Sequence, residues 1–284
     1  MTTSPSPQPP VPSPNSIAFI GGGNMARSLI GGLIARGTPG AAIHVAEPAA
    51  DLREALARDF GVCVHDDAHD AVAAARVWLF AVKPQVMREV CAALASQAQA
   101  SRPLALSIAA GITAVQLERW LGGDIAVVRA MPNTPALLGA GISGLYANTR
   151  VDADGRAQAE ALLSAAGKTV WIDDEAKMDA VTAVSGSGPA YVFLLAEAMQ
   201  AAAETEGLPA EAARALVSQT VLGAARMLTE SREPAAELRR RVTSPDGTTQ
   251  AAIETFEAGG FRDLVARAVR AATERGRQLS AAND

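Results

Sequence analysis

The sequence predicts an α/β domain with a mostly parallel sheet over residues 16–175, followed by an all-α domain over residues 176–284. Three observations predict this. Short apolar runs alternate with helical patterns through the first part, as in parallel sheets covered by helices on both faces. Near residue 175 the strand signals vanish while the helical pattern continues. Between the first apolar run and the first helical segment lies a glycine turn.

The elements follow in order. Residues 1–15 are rich in Ser and Pro, and disorder is the expected state. They have no basic start and no hydrophobic centre, so a secretory signal is not indicated. Ile17–Ile20 reads as the first strand and Ile43–Ala46 as the second. Helices are expected at Asp51–Arg58, Ala68–Ala75 and Gln85–Ala95, and a short strand at Val62–Val64. Val77–Val82 is a continuous apolar run, the mark of a strand buried on both faces. Leu104–Ile108 and Ile125–Ala130 are further strands. Beyond residue 175, helices are expected at Pro189–Glu206, Ala210–Glu230, Pro234–Val242, Thr248–Ala258 and Phe261–Leu279, separated by Gly- and Pro-containing breaks. Tyr191–Ala203 is apolar around much of its circumference, which implies burial on more than one side and makes subunit association a natural solution.

The glycine turn carries the first functional signal. Gly21, Gly22, Gly23, Asn24, Met25 and Ala26 form G-x-G-x-x-A at the end of a strand and the start of a helix. Gly21 suits the tight turn, Gly23 allows close approach of backbone to a pyrophosphate, and small Ala26 allows helix and strand to pack. The following helix points its amides and positive dipole end at the phosphates. Glu47 stands at the end of the second strand, at the position where an acid receives a ribose hydroxyl. The domain is therefore read as Rossmann-type and dinucleotide-binding.

Composition excludes other classes. The net charge is −5 and no long basic block exists, so a nucleic-acid partner is not indicated. Cys63 and Cys91 are too few for a disulfide framework or a cysteine metal site, and a reduced, cytoplasmic setting is expected. No apolar run reaches the ~18 residues of a membrane span. His44, His65 and His69 lie outside the loops where chemistry is expected, and no metal site is expected from them or their acidic neighbours. No nucleophile elbow, Cys–His pair or paired carboxylates stand out. A redox enzyme needs none, because the cofactor carries the hydride and the protein positions it.

Four loops are candidates for that positioning. Ala81, Val82, Lys83 and Pro84 follow the buried strand, where Lys83 is either a solvated strand-ending lysine or a partner for anionic groups of cofactor or substrate. Ser107–Gly111 is either a simple tight turn or a stretch, with small Ala109 and Ala110, that lets backbone pass close to a nicotinamide ring. Met131–Pro135 is a rigid turn or a rigid pocket wall. Ser244–Thr249 opens a helix: its hydroxyls either cap that helix or bind substrate, with the helix amides holding a small carboxylate. Ser185–Pro189 is another helix opening, whose glycines allow close packing. Arg239–Arg241 reads as a solvated face.

Taken together, Gly21–Ala26, Ala81–Pro84, Ser107–Gly111, Met131–Pro135, Ser185–Phe193 and Ser244–Thr249 resemble the motifs of the pyrroline-5-carboxylate reductases, in that family's order and near its spacings, over residues 17–280. The resemblance implies reduction of a cyclic imine, L-1-pyrroline-5-carboxylate, to L-proline, the last step of proline biosynthesis, with NADP(H) or NAD(H). It implies that the helical domain is a dimerisation domain, that each active site lies between subunits of a homodimer, and that larger rings of dimers can form. By motif, Gly21–Ala26, Ala81–Pro84 and Ala109–Ala110 would contact the cofactor. Ser244, Gly247, Thr248 and Thr249 would contact the substrate, with Thr249 as the catalytic hydrogen-bond donor to the ring nitrogen. Glu47 suits the free 2′-hydroxyl of NADH and opposes a 2′-phosphate. The family commonly has a second glycine where this chain has Asp246, so that carboxylate is expected to point away from the substrate or to be paired. The alternative enzyme class is a related hydroxy-acid dehydrogenase with a lysine acid/base, for which Lys177 is the candidate.

Overall fold

The computed structural model describes residues 16–283. The Ser/Pro-rich segment 1–15, expected to be disordered, lies outside the described residues, as does Asp284. Contacts divide the chain into two units. One runs through Gly186 and resumes at Ala272; the other is Ser187–Ala271.

The first unit is built on one eight-stranded sheet in the order β3-β2-β1-β4-β5-β6-β7-β8. The strands are β1 (Ile17–Ile20), β2 (Ile43–Ala46), β3 (Cys63–His65), β4 (Val77–Phe80), β5 (Leu104–Ser107), β6 (Ala126–Met131), β7 (Gly141–Ala147) and β8 (Gly167–Trp171). β6 and β7 pair antiparallel, and every other neighbouring pair is parallel. β4 and β5 are buried at every position, as their apolar runs predict. Alternate side chains feed two cores, one on each face. Phe19, Leu79, Leu106 and Val128 sit in register on one face, and Ala18, Trp78, Ala105 and Val127 on the other. Burial of each large side chain stabilises the sheet by about 1.5–3 kcal/mol.

Helices α1 (Asn24–Ala35), α2 (Ala50–Phe60), α3 (Ala68–Ala73), α4 (Pro84–Ser101), α5 (Ala114–Trp120), α6 (Ala153–Leu163) and α7 (Met178–Val181) belong to this unit. α2 ends at Gly61, whose φ of +65° is the left-handed cap that glycine tolerates. β7, β8, α5 and α6 carry no expectation from sequence. β7 contains Gly141, Ser143 and Gly144, which break up its apolar pattern, and β8 alternates half-buried with exposed residues at the sheet edge. Gly144 is needed: a Cβ there would lie 2.5 Å from Cγ1 of Val181. α7 therefore packs on the sheet, which places this segment in the first unit although its composition is helical.

The second unit holds α8 (Gly188–Thr205), α9 (Ala210–Glu230), α10 (Ala235–Arg241) and α11 (Thr248–Ala258), and the start of α12 (Phe261–Ala282). Its apolar residues are widely exposed in the single chain: Phe193 and Leu194 are each 66 % exposed. A helix this apolar and this exposed lacks the partner surface its sequence calls for.

Candidate functional site

The strand order reverses between β1 and β4, and open α/β sheets bind ligands at the carboxyl ends of strands at such a switch point. A cleft of about 450 Å³ opens there. Its lining includes Gly21, Gly22, Gly23, Glu47, Ala81, Val82 and Lys83, all marked by the sequence, and also Pro48 and Asp66.

The three glycines differ in what surrounds them. Gly21 has φ +103°, and a Cβ on it would lie 2.8 Å from the Ala81 carbonyl oxygen. A Cβ on Gly22 would lie 2.6 Å from Cδ1 of Leu56. A Cβ on Gly23 would meet nothing within 4 Å. The protein itself does not demand glycine at Gly23, and open space beside an uncapped helix start is what a pyrophosphate needs. α1 begins at Asn24 with no side-chain cap. Asn24 and Met25 form its first turn. Ala26 is 1 % exposed and belongs to the core, so it serves helix–strand packing.

Glu47 is 9 % exposed. Its Oε2 accepts the Gly22 N–H at 3.0 Å, and its Oε1 accepts the Ala49 N–H at 3.0 Å. Arg53 donates to the carbonyl oxygens of Glu47 and Pro48 at 2.8 and 2.7 Å. The acid therefore braces the glycine turn, which the motif alone did not reveal. Across the cleft, Lys83 is exposed at the start of α4, and Pro84 occupies the first turn, where a missing N–H is harmless.

The Ser107–Gly111 loop leaves the carboxyl end of β5. Ser107 is buried and its Oγ accepts the Ala109 N–H at 3.3 Å, while the Ile108 N–H bonds the Phe80 carbonyl at 3.2 Å. Ala109 is 6 % exposed and Ala110 half-buried. Neither lines the cleft that holds the glycines. In the Met131–Pro135 loop, buried Asn133 donates through Nδ2 to the Ser185 carbonyl at 3.1 Å and accepts the Ile142 N–H at 3.0 Å. This joins it to the 185–189 segment, where a π-helical turn, Thr182–Gly186, precedes α8.

The Ser244–Thr249 loop lies in the second unit. α11 starts at Thr248 with Gly247 as its cap, and no side chain caps its amides. The hydroxyls are thus not used for capping, and the first amides lack intrahelical partners. The Gly247 N–H bonds the Ser244 carbonyl at 3.1 Å. Asp246 has φ +57°, and its own N–H bonds Oε1 of Gln250 at 2.9 Å. Ser244 and Thr248 are exposed and Thr249 is half-buried.

The remaining candidates fall outside this chemistry. His44 and His65 pair at 3.1 Å, and burial, aided by His65, holds His44 below its ordinary value of 6.5. His69 pairs with Gln97. None of the three lines the cleft. Lys177 is engaged in an exposed ion pair with Asp173 at 2.6 Å. Arg239, Arg240 and Arg241 make exposed ion pairs with Glu257, Glu237 and Glu233. Among the described residues, no group of three or more His, Cys, Asp or Glu could hold a metal ion. No helix among them is long and apolar enough to cross a membrane.

One charged cluster escaped the sequence reading. Arg129 on β6 is 4 % exposed, with Nη1 3.4 Å from Glu175 Oε1 and Nη2 3.3 Å from Asp179 Oδ1. Glu175 also accepts the Ala114 N–H at 2.6 Å. The available signal was a lone charge inside an apolar strand.

Residues 175–279 match the family described as pyrroline-5-carboxylate reductase dimerisation, and residues 16–111 match NADP oxidoreductase, coenzyme F420-dependent. A pyrroline-5-carboxylate reductase of Pseudomonas aeruginosa is 55 % identical over 264 residues, covering 93 % of this chain and 96 % of its own. A solved pyrroline-5-carboxylate reductase structure from Coxiella burnetii is 42 % identical with a TM-score of 0.91, covering 94 % of this chain and 99 % of that one. One from Plasmodium falciparum, with NADP bound, is 26 % identical with a TM-score of 0.81, covering 93 % and 98 %.

Proposed function

The chain belongs to the pyrroline-5-carboxylate reductase family, and from that premise we propose which of its residues perform the reaction. It is an NAD(P)H-dependent oxidoreductase that reduces the cyclic imine of L-1-pyrroline-5-carboxylate to L-proline, and it self-associates through its helical domain. The nicotinamide, when bound, supplies the hydride.

The proteins' own groups bind and orient. Gly21, Gly22 and Gly23 bring backbone and the amides of the α1 start, at Asn24 and Met25, to the pyrophosphate. The open face of Gly23 is the single observation that carries this assignment. Ala81, Val82 and Lys83 wall the cleft, Pro84 starts α4 behind them, and Lys83 offers a cation to anionic groups. Ala109 and Ala110 present a small-residue backbone surface to the nicotinamide. Glu47 holds the turn and opposes a 2′-phosphate, which favours NADH beside NADPH. Ser244, Gly247, Thr248 and Thr249 take the substrate: the uncapped α11 amides hold its carboxylate, and the Thr249 hydroxyl donates to the ring nitrogen. That hydrogen bond makes the C=N carbon a better hydride acceptor.

A reduced, cytoplasmic setting and a ring of dimers extend this reading. So does the lack of a nucleic-acid partner, which the net charge of −5 supports. Steady-state kinetics on pyrroline-5-carboxylate with NADH and with NADPH test it. Turnover with both is expected. Turnover of small hydroxy acids instead of the imine would overturn it.

A further inference from the structure

We infer that Asn283 and Gln116 are positioning residues that hold the Ser107–Gly111 loop ready for the nicotinamide ring. The inference rests on the assignment of Ala109 and Ala110 to that end of the cofactor.

The loop is fixed on both sides. On its entry side, the Ile108 N–H is bonded to Phe80 and the Ala109 N–H to Ser107. Its exit side is held by residues distant in sequence. Asn283 Nδ2 donates to the Gly111 carbonyl at 3.1 Å and to the Leu279 carbonyl at 2.9 Å. Gln116 is 5 % exposed; its Oε1 accepts the Thr113 N–H at 2.9 Å and its Nε2 donates to the Ser280 carbonyl at 3.1 Å. The end of α12 thus grips Gly111 and the α5 start at once. Gly111 has φ +73°, and a Cβ there would lie 3.3 Å from Cβ of Leu279, so the turn and the helix are fitted to each other. The Ala114 N–H, next to this grip, is bonded to Glu175.

Between these two anchored sides lie Ala109 and Ala110, with no large side chain of their own to fix them. Without the exit anchors, ordering this backbone would fall to cofactor binding and be subtracted from affinity. With them, the surface is preformed, which also keeps the ring in a reactive position. A helix end that merely packed would need only apolar contact. Here Asn283 sets the Gly111 peptide plane directly, and Gln116 acts one step away, tying the α5 start at Thr113 to the α12 end at Ser280.

The test uses the full chain with Asn283→Ala, Asn283→Asp and Gln116→Glu. NADH binding is measured by fluorescence titration, and ADP-ribose, which lacks the nicotinamide, by competition. The expected result is a rise in the NADH Kd of about fivefold per variant, near the value of one hydrogen bond. ADP-ribose affinity stays unchanged, and cofactor KM rises while imine KM holds; the thermal midpoint falls modestly, because each variant leaves a backbone carbonyl without its donor. Unchanged NADH affinity would overturn the inference. Equal weakening of NADH and ADP-ribose would also overturn it, showing a general scaffold role. Ala110→Leu separates the two layers of the argument. If it weakens NADH while the Asn283 and Gln116 variants do not, the loop assignment stands and the anchoring fails. If it leaves NADH binding intact, the loop assignment itself falls.

Discussion

The Gly22 amide donates to Oε2 of Glu47 at 3.0 Å, joining residues 25 apart in sequence. The acid that the motif reserves for a ribose hydroxyl is also the brace of the glycine turn. Both carboxylate oxygens take a backbone N–H, so the side chain cannot be exchanged without loosening the turn.

Glu47→Gln is therefore expected to act in two ways. It turns an NH₂ toward one of the two amides, which lowers stability by about 1–3 kcal/mol. It also removes the charge that opposes a 2′-phosphate, so kcat/KM for NADPH rises relative to NADH. Thermal melting and the two cofactor kinetics measure these separately. A constant cofactor ratio would leave Glu47 with bracing alone.

Thr249→Ala is expected to lower turnover tenfold or more, roughly the effect of one reaction-centre hydrogen bond. Cofactor affinity should hold, because the Thr249 hydroxyl is assigned to the substrate nitrogen alone. Thr249→Ser should restore much of the rate. Wild-type turnover in the alanine variant would remove the hydroxyl from the mechanism.

Asp246 sits at φ +57°, a conformation glycine adopts freely and β-branched residues resist. The loop therefore uses a left-handed residue that is not glycine. Asp246→Gly should preserve stability within about 1 kcal/mol and keep turnover, whereas Asp246→Val should lose about 1–2 kcal/mol. Equal melting midpoints for the two variants would contradict the backbone argument.

Cys91 is fully buried, and that burial pushes its thiol from 9.0 up to about 12. Thiolates are the reactive form. A disulfide reagent at pH 8 should label Cys63 in the folded protein and reach Cys91 only on unfolding. Below pH 9 both states keep the Cys91 proton. Between pH 9 and about 12 the unfolded state loses it first, so stability falls as pH rises. Urea midpoints over that range should fall less steeply for Cys91→Ala. Rapid labelling of both thiols in the native state would refute the burial argument.

Legibility in the sequence followed local periodicity. The buried runs at β4 and β5, the helices α9 and α11, and the glycine turn were all readable, because each is set by neighbours a few residues away. β7 was not, since its Gly144 answers to Val181 and its Gly141 to Ala136 and Ala166, all on other elements. The Arg129–Glu175–Asp179 cluster was hidden for the same reason: the arginine lies far in sequence from its two acids, and all three look solvated until the fold brings them together.

By itself the sequence determined the two-part character of the chain and the strand, glycine turn and helix that open it, because these depend on composition and short-range spacing. Only the tertiary structure decided that Glu47 braces Gly22 and that Asn283 reaches Gly111. Those are long-range hydrogen bonds. Their partners are selected by where the sheet and helices bring the backbone, and no pattern within a single segment encodes that meeting.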